Sequence, residues 1–160
     1  MKTPIVDRDL AQEPPHSPRD RFGGFAILGR TVDKCRASMA GTLGEYHYDC
    51  LLDNQLFNFK GINAAEFQAV VARAKNYKDV ARWLKENGTP KTREEIRTWS
   101  DKVESLKVKD IPAMQAPDRR KELLESCRKL GLDFGRATFF DWLEADDEVS
   151  FQPHSQPVAK

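Results

Sequence analysis

The 160-residue sequence contains few cysteines and no long apolar run. Its three cysteines, Cys35, Cys50 and Cys127, cannot all pair within one chain, and none of them forms the close Cys-x-x-Cys pair of zinc and redox sites. We therefore expect reduced thiols. No apolar run reaches the roughly 18 residues of a membrane-spanning helix, and the N-terminus lacks the apolar core of a signal peptide. We therefore expect the protein neither to span a membrane nor to be exported, and the cytoplasm is the expected location.

Charge of one sign is not in excess. The sequence has 26 lysine and arginine residues and 25 aspartate and glutamate residues, a formal net charge of +1. Proteins that bind nucleic acid or anionic membranes through general electrostatics carry a marked basic excess, so neither partner is expected. A phosphate-binding loop is also missing, because Gly23-Gly24 and Gly41-x-x-Gly44 lack its spacing and its strand-to-helix context. We therefore expect no cofactor.

Prolines are concentrated at the N-terminus, where Pro4, Pro14, Pro15 and Pro18 fall within residues 1–20. Proline lacks the amide donor of a helix and favours extended backbone before it, so this segment is predicted to be an arm. The chain length is that of one domain. We predict an arm at residues 1–20, a single domain at residues 21–151 and a flexible tail at residues 152–160. Whether the arm is docked or mobile is left open by the sequence.

Helical periodicity dominates between the two ends, beginning with an amphipathic helix over residues 26–39. Its apolar face is formed by Leu28, Val32, Cys35 and Met39. Its opposite face carries the charged side chains Arg30, Asp33 and Lys34. These charged side chains are the first candidates for a polar site.

Further helices follow from capping signals. Asp53 is positioned to cap a short helix, and Asn63 and Thr92 each precede a glutamate at the spacing of a capping box. Six or seven short helices result. Only residues 44–49 and 148–151 have the character of strands, and neither has an obvious partner. The predicted class is therefore all-α, with at most a minor β element near residues 44–50.

The stretch Gly44-Glu-Tyr-His-Tyr-Asp-Cys50 gathers polar and reactive side chains. In an extended backbone, Glu45, His47 and Asp49 would face one way, and Tyr46, Tyr48 and Cys50 the other. A metal centre needs three or more converging ligands, and one strand supplies about two, so no metal site is predicted. A cysteine nucleophile would need His47 as its base, but the two side chains face opposite ways. The polar triplet is expected to face solvent or a cleft.

Arg30 and Lys34 are like charges one helical turn apart, which mildly destabilises a helix unless something balances them. One possibility is an anionic ligand held by Arg30, Lys34 and Arg36, with Glu45 or Asp49 nearby to orient it. The other is an internal salt-bridge network. That network would join Arg19, Arg21, Arg30 and Arg36 to Asp20, Asp33, Glu45 and Asp53.

The segment from Ser17 to Asp53 resembles an uncharacterised bacterial family, the domain of unknown function 5069. The resemblance consists of a Ser-Pro-Arg-x-Arg-x-Gly-Gly element, an Arg-x-x-Asp-Lys-x-Arg-Ala helix and a Gly-x-x-Gly-Glu-Tyr-x-Tyr-x-Cys-x-Leu-Asp segment. The residues Phe140-Asp-Trp-Leu143 near the C-terminus also look familial. The family carries no established activity, so the resemblance implies no cofactor or partner. It places His47 at a variable position and the charged residues of the helix at pattern positions.

The candidate binding residues are Arg30, Asp33, Lys34, Arg36, Glu45, Tyr46, Tyr48 and Asp53. Two functions remain open for them. The first is a non-catalytic binding or interaction module that uses this cluster or a nearby groove, with a small anionic ligand or a protein as partner. The second is an enzyme acting on a small anionic metabolite, with Glu45 as acid or base, Arg30 and Lys34 as an anion clamp and a tyrosine as hydrogen-bond donor. The oligomeric state is left open.

Overall fold

The computed structural model describes residues 4–112 and 115–151, and these residues form a helical protein. Within them lie seven α-helices and a short 3-10 turn at Val108–Asp110. The helices are α1 (Leu28–Ala40), α2 (Leu51–Lys60), α3 (Ala64–Arg73), α4 (Tyr77–Glu86), α5 (Arg93–Ser105), α6 (Pro117–Lys129) and α7 (Phe139–Ser150).

The predicted all-α class is confirmed. The described residues contain isolated β-bridges, such as the one between Phe22 and Phe25, and no strand. Residues 44–50 form turns and bends. Residues 148–151, which had the character of a strand, instead contain the end of α7. The predicted flexible tail, residues 152–160, lies outside the described residues.

The helix starts follow local hydrogen bonding. In front of α3, the Asn63 side chain accepts the amide of Glu66 and the Glu66 carboxylate accepts the amide of Asn63. Thr92 and Glu95 form the same reciprocal pair at the start of α5. Both predicted capping boxes are therefore present. Asp53 differs from the prediction, since it lies inside the first turn of α2 and the helix is capped at Cys50.

Helix α1 is largely buried, since nine of its thirteen residues are buried. Its apolar side chains Leu28, Val32 and Cys35 are buried as predicted, whereas Met39 is 40% exposed. The face predicted to be polar is also buried, although it carries several charges. The predicted helix with an apolar face and a charged face is therefore present, but both faces are buried. Other parts of the chain cover its charged face and supply partners for the charges.

Two compact units meet in sequence between Asp101 and Lys102, a boundary that falls within α5. The core of the first unit includes Phe25, Phe57 and Phe67, each almost completely buried. The core of the second unit is a cluster that contains Val108, Leu123, Cys127 and Ala137, with Leu132, Phe134 and Trp142 packed against it. The predicted limits of a single domain, residues 21–151, stay a prediction.

The proline-rich arm is docked on the first unit. Leu10 is 1% exposed, and its backbone amide donates to the Thr42 carbonyl at 2.9 Å. The Pro18 carbonyl accepts the amide of Ile27 at 2.9 Å, immediately before α1. The arm therefore brings its own side chains to the charged face of α1.

The described helices include none that is long and apolar enough to cross a membrane.

Candidate functional site

Asp33 is the centre of one group of buried contacts. Its Oδ2 accepts the backbone amide of His16 at 2.8 Å and the ring Nδ1–H of His16 at 2.6 Å. The Arg8 Nε lies 3.7 Å from the same oxygen. The other oxygen, Oδ1, accepts the Tyr77 hydroxyl at 2.5 Å. A carboxylate that is 1% exposed thus has partners from the arm and from α4.

Aromatic rings cover this carboxylate. The rings of Phe22 and Tyr77 are stacked with centroids 4.6 Å apart, and His16 meets Tyr77 edge-on at 4.9 Å. Burial is the main cause that raises the pKa of the Tyr77 hydroxyl, and the hydrogen bond to Asp33 raises it further. The phenol therefore keeps its proton and acts as a stable donor to Asp33.

Asp53 is the centre of a second group of buried contacts, between α1 and the start of α2. Its Oδ1 accepts the Thr31 hydroxyl at 2.8 Å and lies 3.0 Å from the Lys34 Nζ. Its Oδ2 accepts the backbone amides of Asp49 at 2.9 Å and Cys50 at 3.3 Å. The Lys34 Nζ also donates to the Cys50 Sγ at 3.1 Å. One buried ion pair therefore joins the middle of α1 to the first turn of α2.

The other predicted cationic and aromatic side chains contact different parts of the protein. The Arg30 guanidinium donates to the His16 carbonyl at 3.3 Å and lies over the Tyr46 ring, 5.5 Å from its centroid. The Arg36 Nε donates to Asp7 on the arm at 2.6 Å. The Tyr48 hydroxyl donates to the Ala64 carbonyl at 2.7 Å. Of these side chains, Arg30 belongs with the Asp33 group, whereas Arg36 and Tyr48 fix other parts of the fold.

The 44–50 segment has the alternation expected for an extended backbone, although it is not a strand. Glu45, His47 and Asp49 are exposed, while Tyr46, Tyr48 and Cys50 are partly buried. Glu45 thus lies at the surface turn that follows Gly44. Among the described residues, no group of three or more His, Cys, Asp or Glu side chains is placed to hold a metal ion.

Four members of the buried groups were missed as site residues by the sequence reasoning: Arg8, His16, Thr31 and Tyr77. His16 lies next to the Ser17-Pro-Arg element, which was a usable signal. Tyr77 had no such signal, because it reaches Asp33 from 44 residues away in sequence. Only the packing of α4 against α1 brings these two side chains together.

The buried polar groups are satisfied within the protein. Among the described residues, no buried side-chain nitrogen or oxygen lacks a hydrogen-bond partner. Burying a charge is unfavourable unless it is paired and hydrogen-bonded, and Asp33, Lys34 and Asp53 meet that condition. We call these three residues, with His16, Thr31 and Tyr77, the buried polar cluster. Their geometry is that of a closed network rather than an open cleft.

A separate surface depression in the first unit has the opposite character. It has a volume of about 550 Å³ and combines the Gly23-Gly24 turn with the end of α4 and the start of α5. We call it the basic groove. Its lining residues are Arg21, Gly23, Gly24, Lys85, Arg93, Ile96 and Arg97. Four of these seven residues are cationic, and none is acidic.

Two anionic partners of the groove cations lie outside its lining. The Arg21 guanidinium is 2.8 Å from the Asp101 carboxylate, and Arg97 is 3.8 Å from Glu94. Gly23 packs tightly against α4, since a Cβ at position 23 would lie 2.6 Å from the Cβ of Ala81. The absence of a side chain at position 23 thus lets this turn approach α4 closely.

These features define a class of protein: an all-helical domain whose proline-rich arm is held on a buried central helix by paired charges. The chain belongs to the family described as domain of unknown function (DUF5069), whose model matches residues 12–149. The matched range contains every residue of the buried polar cluster and of the basic groove. Arg8, which lies near Asp33, falls outside it. No curated protein matches the sequence.

Proposed function

We propose that this protein is a non-catalytic binding module that holds a small multivalent anion in the basic groove. The observation that carries this proposal is the concentration of four cationic side chains around one open depression of about 550 Å³. Ligand-binding clefts commonly measure about 300–1,000 Å³, so the groove has a suitable size for a small metabolite.

The buried polar cluster supports a structural role for the candidate residues that it contains. An anion clamp would need Lys34 to point its ammonium at a ligand, whereas its Nζ is bonded to Asp53 and Cys50. The Asp33 carboxylate is likewise bonded to the arm and to Tyr77. Because these side chains satisfy one another, the cluster favours a binding module over an enzyme with its centre at this place.

The chemistry of the groove favours phosphate or carboxylate groups. Three of its four cations are arginines, and the planar guanidinium binds such groups through two parallel hydrogen bonds. The cations come from the segment before α1, from α4 and from α5, so one ligand would touch three parts of the chain. Since no aromatic ring is among the lining residues, the groove offers no aromatic stacking surface for a nucleobase. A compact anion with two or more charged groups is therefore the proposed ligand.

Isothermal titration with pyrophosphate, and separately with citrate, tests this proposal. Saturable binding to the wild-type protein is expected, with an affinity that falls as the salt concentration rises. Lys85→Gln and Arg97→Gln should each weaken the binding about tenfold, since charge-assisted hydrogen bonds are worth roughly 1.5–3 kcal/mol.

Lys78→Gln is the matched control, because Lys78 is an exposed lysine on the same helix as Lys85 and is not among the lining residues of the groove. This variant makes the same charge change and should leave binding nearly unaltered. Equal weakening by Lys78→Gln and Lys85→Gln would show only general charge attraction, and no binding of either anion would refute the proposal.

A further inference from the structure

We propose that Lys34 and Cys50 form a redox modification site, in which a hydroperoxide oxidises Cys50 and the Lys34 amine then closes a covalent bond to its sulfur. The inference is independent of the basic groove. It rests on three side chains held in contact: the Lys34 Nζ lies 3.1 Å from the Cys50 Sγ and 3.0 Å from the Asp53 Oδ1. The site requires all three side chains together.

Burial holds the amine in place. Lys34 is 3% exposed, and Asp53 is completely buried. The usual freedom of a lysine side chain is therefore removed, and the Nζ is kept beside the sulfur. Such a fixed geometry makes an intramolecular reaction much faster than the same reaction between free groups.

Access distinguishes Cys50 from the other two cysteines. Cys50 is partly exposed, whereas Cys35 and Cys127 are buried. Burial also raises the pKa of the Cys35 thiol to about 11 and raises that of Cys127. The thiolate is the form that reacts with peroxides, so these two thiols are poor targets. A peroxide in solution can therefore react selectively with Cys50.

The chemistry balances with one equivalent of a hydroperoxide. The Cys50 thiolate attacks the peroxide oxygen, the O–O bond breaks, and a sulfenic acid and an alcohol form after uptake of one proton. Asp53 takes a proton from the Lys34 ammonium, and the neutral amine attacks the sulfenic sulfur. A sulfur–nitrogen bond forms, the sulfur–oxygen bond breaks and water leaves. Sulfur is oxidised by two electrons, the peroxide is reduced by two, and the chain loses two hydrogens. Condensation of a sulfenic acid with a nitrogen is known chemistry of protein thiols.

The product would link α1 covalently to the residue that caps α2. It would also replace the buried Lys34–Asp53 ion pair by a neutral amine derivative beside a protonated carboxyl. The link is reversible by thiols, because a thiolate can attack the sulfur and release the amine.

Peptide mass spectrometry after treatment with hydrogen peroxide tests this proposal. The expected product is a pair of linked peptides containing Lys34 and Cys50, lighter by two hydrogens, with loss of proteolytic cleavage after Lys34. Dithiothreitol should restore both peptides. Cys50→Ser should abolish the link, and Cys127→Ser should leave it unchanged.

Lys34→Arg keeps the positive charge and removes the primary amine. In this variant, Cys50 should still be oxidised, but to sulfinic acid or to a disulfide with added thiol, in place of the link. Conversion of wild-type Cys50 to these same products without a linked peptide would overturn the proposal. So would a Cys50 that remains reduced while Cys35 or Cys127 reacts.

Discussion

Asp53 shows how one residue combines a local and a tertiary role. Its position in the first turn of α2 allows it to accept two backbone amides, which is the local role of an acidic residue at a helix N-terminus. The same carboxylate also pairs with Lys34 and Thr31 on α1. Removing its charge would leave Lys34 buried without a counter-ion.

Asp53→Asn should therefore lower the free energy of unfolding by about 3–5 kcal/mol, the usual cost of breaking a buried ion pair from one side. Urea denaturation measures this change. Asp101→Asn is the control, because Asp101 pairs with Arg21 at the surface and its side chain is 61% exposed. The control should cost less than about 1 kcal/mol. Equal effects of the two substitutions would contradict the role assigned to the buried polar cluster.

Because the Cys35 thiol is buried, we expect the protein to lose stability at alkaline pH. Burial raises the pKa of this thiol from 9.0 to about 11. Above pH 9.0 the unfolded chain releases the thiol proton while the folded chain keeps it, so the unfolded state binds fewer protons. The stabilisation is complete below pH 9.0 and is lost as the pH rises through about 11.

The free energy of unfolding of the wild type should therefore fall across this range, by at most about 1.4 kcal/mol per pH unit from this thiol. The raised pKa values of Tyr48 and Tyr77 add to the fall at higher pH. In Cys35→Ala the fall should be smaller by the thiol contribution. Urea denaturation at several pH values measures both curves, and parallel curves would contradict this assignment.

At the scale of elements, the close approach between the ends of α2 and α4 depends on a glycine. Gly88 has a φ of +71°, and a Cβ there would lie 2.2 Å from the Lys60 carbonyl oxygen. That oxygen accepts the amide of Thr89 at 2.6 Å. Gly41 has nearly the same φ, +73°, but a Cβ there would meet nothing within 4 Å.

The two glycines separate backbone strain from crowding. Gly41→Ala should cost about 1–2 kcal/mol, the price of a left-handed conformation for an L-residue. Gly88→Ala should cost about 1–3 kcal/mol more, because the added methyl group also forces α2 and α4 apart. Thermal and urea denaturation measure the difference, and similar losses for both variants would show that the contact is easily relieved.

The arm behaves as an element of the first unit, and its anchor is Leu10. Leu10→Ala should destabilise the protein by about 2–5 kcal/mol, as expected for truncating a buried leucine. Val6 lies on the same arm and is 63% exposed, so Val6→Ala should change the stability by less than about 0.5 kcal/mol. Equal and small effects in urea denaturation would indicate that the arm is not docked in solution.

At the scale of the whole molecule, a ligand that binds only the folded state raises stability by mass action. Pyrophosphate at about 100 times its dissociation constant should add about 2.7 kcal/mol to the unfolding free energy. Hydrogen exchange should show the first added protection at residues 21–24 and at the start of α5, which line the basic groove. Protection that rises first in α6 would contradict the proposed location of the ligand.

Local patterns were sufficient for most of the helices. The capping boxes at Asn63 and Thr92 depend on side chains three residues apart, and the apolar spacing in α1 depends on the helical repeat. Both are interactions between neighbours in sequence, so they can be predicted without knowing the fold. The alternation of exposed and partly buried side chains from Glu45 to Cys50 was predictable for the same reason.

Partners distant in sequence were not predictable in this way. Asp33 meets His16, which is 17 residues away, and Tyr77, which is 44 residues away. The basic groove gathers Arg21, Lys85 and Arg97 from three separate elements. Neither grouping corresponds to a recognisable spacing of residues in the sequence, because each depends on the path of the chain between the elements.

Short-range chemistry thus specified the helices, their starts and a stretch rich in charge around α1. Tertiary packing decided that this charge is buried and paired with residues of the arm, and that the cations lining the basic groove come together elsewhere in the first unit. The physical reason is that a helix repeat tells which side chains share a face, while the burial of that face depends on what packs over it.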